Sequence, residues 1–181
     1  GFVLSVEKDP KFLSILKSIK KDFPNNFRFE IADALEFNFI PLIKTRIGDA
    51  DQNADRRSYQ RSRSAFSSAE YKVVANIPYF ITGKILEMFM TAEFKPTTIT
   101  VLTQKEVAER VTARAGDLSV LAISVQIFGE PKLVKIIPAK SFYPQPKVDS
   151  AILHIDLHQE SRFKITDEKK FFREVKACFA G

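Results

Sequence analysis

Asn76, Pro78 and Tyr79, set in the run V-V-A-N-I-P-Y-F-I-T over residues 73–82, place a side-chain amide, a rigid backbone carbonyl and an aromatic face close together in the chain. Val73, Val74 and Ala75 form a short apolar run, and Pro78 fixes φ and removes an amide donor, so a buried strand is predicted to stop here. In open α/β sheets the carboxyl ends of strands are where ligands bind. Thr82 is placed to cap a helix beginning at Gly83. The four letters N-x-P-Y also suit an ordinary turn with a tyrosine as its packing anchor, so their meaning depends on what surrounds them.

Two carboxylates hold comparable places. Glu7 ends the first apolar run of the chain, and Asp33 follows the second. A carboxylate is acceptor-only and takes two hydrogen bonds at once, which suits ribose hydroxyls at one strand end and an adenine amino group at the next. Either acid alone is equally a turn or cap residue. Polar groups at three strand ends on one side of a sheet favour nucleoside binding.

The elements that must position these groups follow from periodicity. Residues 2–6 read as a strand, Asp9 caps a helix whose first residue is Pro10, and Phe12, Ile15, Leu16, Ile19 and Phe23 recur on one helical face. Residues 27–31 alternate Phe27, Phe29 and Ile31 with Arg28 and Glu30 as a second strand. Residues 41–70 dissolve into a Ser- and Arg-rich stretch that reads as a mobile insertion, either a solvated loop or an RNA-contacting arm. Strand and helix then alternate again: a strand over 71–75, a helix carrying Ile85, Leu86, Phe89 and Met90, a strand over 97–102, and a helix over 104–114. Residues 118–128 fit a helix through Leu121, Ala122, Val125 and Phe128, although β-branched residues abound there. Strands over 133–137 and 148–157 close the pattern, the latter with Ala151, Leu153, Ile155 and Leu157 on one face. Between them, residues 141–146 form a proline-bounded loop holding Phe142 and Tyr143. This order predicts an α/β, Rossmann-like fold with a mostly parallel sheet and an antiparallel end. Residues 1–157 make one domain, and a helix from Thr166 with Phe171, Phe172 and Val175 on one face belongs, with residues 158–181, to the linker and start of another.

Composition narrows the chemistry. With 181 residues, 45% of them hydrophobic, the chain can bury one substantial core, and a net charge of +6 favours an acidic partner such as nucleic acid. One cysteine, Cys178, and two histidines, His154 and His158, exclude a disulfide framework and a zinc constellation, so no metal is expected and a reducing, cytoplasmic setting is the simplest reading. Cys178 is expected to pack on the final helix, and His154 to face solvent. No apolar run reaches the roughly 18 residues needed to span a bilayer. The first residue is not Met, which implies that the natural chain begins earlier. The six glycines form no G-x-G-x-x-G or Walker loop, and no H-E-x-x-H occurs. Lys132, Lys135, Lys140 and Lys147 suit phosphates, and equally suit the solubility of an edge strand.

Five ordered blocks carry a resemblance: V-E-K-D-P at 6–10, A-D-A-L at 32–35, N-I-P-Y-F-I-T at 76–82, Q-K-E-V-A-E-R-V at 104–111 and S-F-Y-P-Q-P-K-V-D-S-A at 141–151. Together they resemble the small-subunit ribosomal RNA adenine N6-dimethyltransferases and, more loosely, the related macrolide-resistance methyltransferases of large-subunit RNA. The resemblance implies a class I methyltransferase fold, S-adenosyl-L-methionine as cofactor, and transfer of two methyl groups to N6 of adjacent adenosines near the 3′ end of the small-subunit RNA. By the same resemblance Glu7 binds the cofactor ribose, Asp33 its adenine amino group with Ala34 beside it, and Asn76 lies between cofactor and target. Asn76 and the Pro78 carbonyl accept hydrogen bonds from the target amino group, while Tyr79 and Phe142 stack on the extruded adenine. The expected partner is the immature small ribosomal subunit, met by a monomer. The family's first strand and glycine-rich loop would precede Gly1, and its helical C-terminal domain would continue past Gly181. The isolated chain is therefore expected to bind cofactor weakly or not at all and to be inactive. Alternatives are a DNA adenine or glutamine methyltransferase, which usually has Pro directly after Asn, a large-subunit RNA methyltransferase, a non-catalytic RNA-binding assembly factor on this fold, and a plain nucleotide-binding domain.

Overall fold

The computed structural model describes residues 1–41, 71–158, 163, 165 and 167–180. These fall into two units, one holding the described residues up to 41 and the other those from 71 onward. Residues 42–70, nearly all of the stretch read as an insertion, lie outside the described residues.

In the first unit, β1 (Val3–Glu7) and β2 (Phe27–Ile31) pair in parallel with Glu7 opposite Ile31. A parallel pair needs a crossover, supplied by a single turn at Pro10–Phe12 and by α1 (Leu13–Asp22). Asp9 starts the crossover as its sequence position predicts, accepting the Lys11 amide at 2.9 Å just ahead of Pro10. Lys20 closes it by donating to the carbonyls of Pro24 and Phe27 at 2.6 and 2.8 Å. The apolar stripe of α1 is only partly covered within this unit. Leu16 of α1 and Phe27 of β2 are buried, while Phe12, Ile15 and Phe23 stay 47%, 55% and 58% exposed. Two five-residue strands offer too little surface to cover a full helical stripe.

The second unit is built on a sheet in the order β3-β4-β6-β5, formed by Lys72–Asn76, Thr98–Gln104, Ser150–Leu157 and Gly129–Ile137 respectively. β3 and β4 run parallel across α2 (Thr82–Met90), and β4, β6 and β5 run antiparallel. The sheet is therefore mixed rather than mostly parallel: one parallel pairing, β3 with β4, is followed by two antiparallel ones, because β4, β6 and β5 are joined without a crossover between β5 and β6. α3 (Lys105–Val111) and α4 (Val120–Gln126) complete the layer on one face. Ser119 caps α4 by accepting the Ala122 amide at 3.2 Å, which settles the ambiguous stretch as helix.

Alternate residues of each strand point to opposite faces. Ile99 and Val101 of β4 and Ala151, Leu153 and Ile155 of β6 are fully buried with Ile85, Leu86, Val111 and Val125 of the helices. The opposite face is half open: Val74 is 81% exposed, so the 73–75 run is not the wholly buried strand it resembled. An irregularity in β5 leaves Val134 out of the ladder, with Leu133 opposite Leu153 and Lys135 opposite Ile152.

Thr82 does not cap α2. It is the first helical residue, buried, and accepts a bond from the Thr103 hydroxyl at 3.4 Å. The last helix, α5 (Glu168–Cys178), begins at Asp167, whose side chain accepts the Lys170 amide at 2.9 Å, and sets Phe172 against Phe128 with ring centroids 6.3 Å apart. Cys178 is exposed there instead of packed.

Candidate functional site

The second unit holds an open cleft of about 310 Å³ at the carboxyl end of β3, lined by Asn76, Ile77, Pro78, Tyr79 and Leu102 on one side and by Phe142, Tyr143, Pro144 and Pro146 on the other. Four of the residues singled out in the sequence, Asn76, Pro78, Tyr79 and Phe142, therefore meet at one place although the last lies far along the chain. The register explains how. Asn76 stands opposite Leu102 and Leu102 opposite Ile152, so β3, β4 and β6 bring the loops at their ends together.

Each group has a definite hydrogen-bonding state. The side-chain amide of Asn76 has no partner among the described residues and is exposed. The Pro78 carbonyl accepts one bond, from the Ile81 amide at 3.1 Å, which leaves its second lone pair available. Tyr79 and the Ser150 hydroxyl lie 2.7 Å apart, and Ser150 is fully buried at the start of β6. Across the cleft, Asp149 accepts the Ala139 amide at 2.9 Å and so holds the single turn Ala139–Ser141 that delivers Phe142. The adjacent residues 149 and 150 thus fix both aromatic walls. Sequence reasoning assigned neither of them a role. They sit in the 141–151 block, but no spacing in the sequence tells which ring a serine will meet 71 residues away.

Among the described residues no carboxylate, lysine or histidine lines this cleft. Its chemistry is consequently that of acceptors and flat apolar faces. Asn76 and the Pro78 carbonyl can hold an exocyclic amine by its two N–H groups, and Tyr79 and Phe142 can sandwich a base.

Glu7, Asp33 and Ala34 belong to the first unit, where Glu7 ends β1 and Asp33 and Ala34 follow β2. The Ala32 amide donates to the Glu7 carbonyl at 2.9 Å and keeps the two strand ends together. Glu7 accepts the Asp9 amide at 2.8 Å through Oε1, and Oε2 has no partner among the described residues. Asp33 accepts the Leu35 amide at 2.9 Å through Oδ1 and Lys8 Nζ at 2.6 Å through Oδ2. The Lys8 ammonium, reinforced by the Leu35 amide, holds the Asp33 carboxyl below the usual aspartate range, and Asp33 in turn raises Lys8. Because each carboxylate oxygen has two lone pairs, both acids retain acceptor capacity and suit the hydroxyl and amino donors of a nucleoside. Both also serve their own turns, so the cap role and the binding role coexist.

On the open face of the sheet, Thr100 Oγ1 and His154 Nδ1 lie 2.8 Å apart, and Asp156 is reached by His154 Nε2 at 3.1 Å and by Lys132 Nζ at 2.8 Å. His154 lies on the open face as expected, 28% exposed, and is tied into this network. Among the described residues no group of three or more His, Cys, Asp or Glu side chains is placed to hold a metal ion, and no helix is long and apolar enough to cross a membrane.

A family model described as ribosomal RNA adenine dimethylase matches residues 2–181. A curated protein from Dehalococcoides mccartyi, named ribosomal RNA small subunit methyltransferase A, is 35% identical over 179 residues, covering 99% of this chain and 54% of that protein. One of the same name from Moorella thermoacetica is 32% identical, with 99% and 58% covered. The chain therefore spans about half the length of the curated relatives it matches. Among solved structures, the fold resembles a dimethyladenosine transferase from Plasmodium falciparum, with a TM-score of 0.74 at 24% identity over 99% of this chain and 55% of that one. It also resembles the 23S rRNA methyltransferase ErmE, with a TM-score of 0.69 at 25% identity over 99% of this chain and 62% of that one.

Proposed function

We propose, since the chain belongs to the ribosomal RNA adenine dimethylase family, that it carries the target-binding and nucleoside-binding parts of an enzyme that dimethylates adenosine N6 in small-subunit ribosomal RNA. The observation that carries this reading is the cleft itself, in which Asn76, Pro78, Tyr79 and Phe142 converge with no acid or base among them.

S-adenosyl-L-methionine, when bound, supplies a methyl group on a cationic sulfur. The chain's part is to hold and orient. Glu7 accepts from the ribose hydroxyls, Asp33 from the adenine amino group, and Ala34 packs beside them. The Lys8 ammonium further favours the ionised, acceptor-only form of Asp33.

In the cleft, Tyr79 and Phe142 receive an adenine swung out of its stack. Asn76 and the Pro78 carbonyl take the two amino hydrogens, so the nitrogen lone pair is turned away from the ring and aimed. A positioned lone pair in line with its electrophile gains rate from alignment, and no strong base is needed. The proton released after nitrogen alkylation passes to solvent through the open mouth of the cleft.

The RNA is met within the immature small subunit by a cytoplasmic monomer, and residues 1–157 form the methyltransferase domain with residues 158–181 opening the next. The alternative is a large-subunit RNA target; the likeness to ErmE raises it, and the higher identity to relatives named for the small subunit weighs against it. One experiment separates them. The protein carrying this chain is incubated with labelled S-adenosylmethionine and either unmethylated small or large subunits, and the label is mapped by mass spectrometry. Dimethyladenosine in the small-subunit RNA is expected, with Asn76→Ala lowering kcat by roughly 10²-fold or more, as loss of one positioning contact does. RNA binding without transfer by the unaltered protein would leave an assembly factor on this fold.

A further inference from the structure

We propose that the loop over residues 139–147 is a track for the single-stranded RNA flanking the target, with Tyr143 carrying the neighbouring base and Lys140 and Lys147 meeting phosphates. The proposal rests on the RNA-methyltransferase reading and adds to it a surface and its ligand. It starts from a contrast between adjacent rings. Phe142 is half-buried as a wall of the cleft, whereas Tyr143, the next residue, lines the same cleft and is 102% exposed. A ring so placed has given up all protein packing, and its remaining large favourable interaction is with something outside the chain.

The charges around it point to the kind of partner. Lys132 lies on β5 and is neutralised by Asp156 at 2.8 Å. Lys140 and Lys147 are exposed and have no carboxylate partner among the described residues. They bracket the cleft wall: Lys140 is in the single turn before Phe142, and Lys147 directly follows Pro146. Unpaired ammonium groups on both sides of an exposed ring, continuous with a base-sized cleft, match a single strand whose phosphates are neutralised while its bases stack. A protein partner would be expected to draw on a wider apolar area than one ring.

The test uses the protein carrying this chain and a single-stranded RNA with the target adenosine and a 2-aminopurine next to it. Tyr143→Ala is expected to weaken RNA binding by about 5- to 150-fold, as loss of one base stack does, and to abolish the quenching of the 2-aminopurine. Tyr143→Phe should restore both. Lys140→Gln and Lys147→Gln should each reduce the slope of log affinity against log salt by about 0.7, whereas Lys132→Gln leaves it unchanged. Tyr143 is wholly exposed, so thermal unfolding should not move and a folding defect is separable. Unaltered binding and quenching in Tyr143→Ala, or equal slopes in all three lysine variants, would overturn the track. If methyl transfer to small subunits persists with those negative results, or with no binding of the single strand by the unaltered protein, the track falls and the enzymatic reading stands without it; if the unaltered protein neither binds the single strand nor methylates small subunits, both fall.

Discussion

Tyr79 and Ser150 offer a sharp test of how the cleft wall is held. Tyr79→Phe keeps the ring and removes one oxygen, which leaves the fully buried Ser150 hydroxyl without its partner. A buried hydroxyl stranded in this way costs about 1–3 kcal/mol. Ser150→Ala removes the other half, but the Tyr79 hydroxyl sits on a half-buried ring in an open cleft and can turn to water. That change forfeits only the net value of a hydrogen bond, about 0.5–1.5 kcal/mol. The double variant strands neither group and should be near neutral. The penalties are therefore unequal and far from additive, with a coupling of about 1.5–4.5 kcal/mol, the sum of the two single penalties. Urea unfolding followed by amide exchange in β4 and β6 reads the unit that contains the cleft. Additive penalties, or a larger loss in Ser150→Ala than in Tyr79→Phe, would refute the assignment of Ser150 as a buried anchor for the ring.

Two further outcomes follow from local geometry. A Cβ added at Gly129 would lie 2.6 Å from the Asp156 carbonyl oxygen and 2.8 Å from Ile155 Cγ2, so Gly129→Ala must push β5 away from β6 and should destabilise the sheet by about 1–3 kcal/mol in thermal unfolding. Lys8→Gln should raise the Asp33 titration midpoint, measured by carboxyl NMR, towards the ordinary aspartate value, with the Leu35 amide preserving part of the depression. The folded carboxyl titrates below the unfolded one. The stabilisation from this pair is therefore complete above a pH of about 3.9 and fades as pH falls through the lower folded value; an unmoved midpoint in the variant would contradict the role given to Lys8.

Local chemistry was well written in the chain. Asp9 followed by Pro10 marked a helix start that the Lys11 bond bears out. The alternation of Ala151, Leu153, Ile155 and Leu157 gave the buried face of β6. The meeting of Phe142 with Asn76, Pro78 and Tyr79 was implied by the family resemblance of the 76–82 and 141–151 blocks; strand placement alone accounted for N-x-P-Y at a strand end. Burial was less legible, because it depends on what lies across the surface and not on the residue's own type. Val74 and Ile15 have the hydrophobicity of core residues and remain exposed. Thr82 has the chemistry of a cap, yet the single turn Tyr79–Ile81 absorbs the start of the helix and leaves its hydroxyl to meet Thr103. The partners of Tyr79 and of the 139–141 turn are set by tertiary register, which a single sequence does not display.

The extra residue in β5 has a consequence for how this sheet can vary in length. Opposed side chains in an antiparallel pair share a face, so Lys132 opposite His154 and Lys135 opposite Ile152 both emerge on the open side despite an odd separation. Val134 is the residue that makes up the count, and it is 60% exposed. Deleting it would let Leu133 and Lys135 keep their present neighbours in an unbroken ladder. Removing another residue from β5 would either leave the bulge and turn the positions beyond it to the wrong face, or absorb the bulge and put Val134 or a neighbour at a position chosen for a different side chain. Position 134 is thus where a lineage can gain or lose a residue in this strand without rewriting the core, and length differences among homologous chains should gather there.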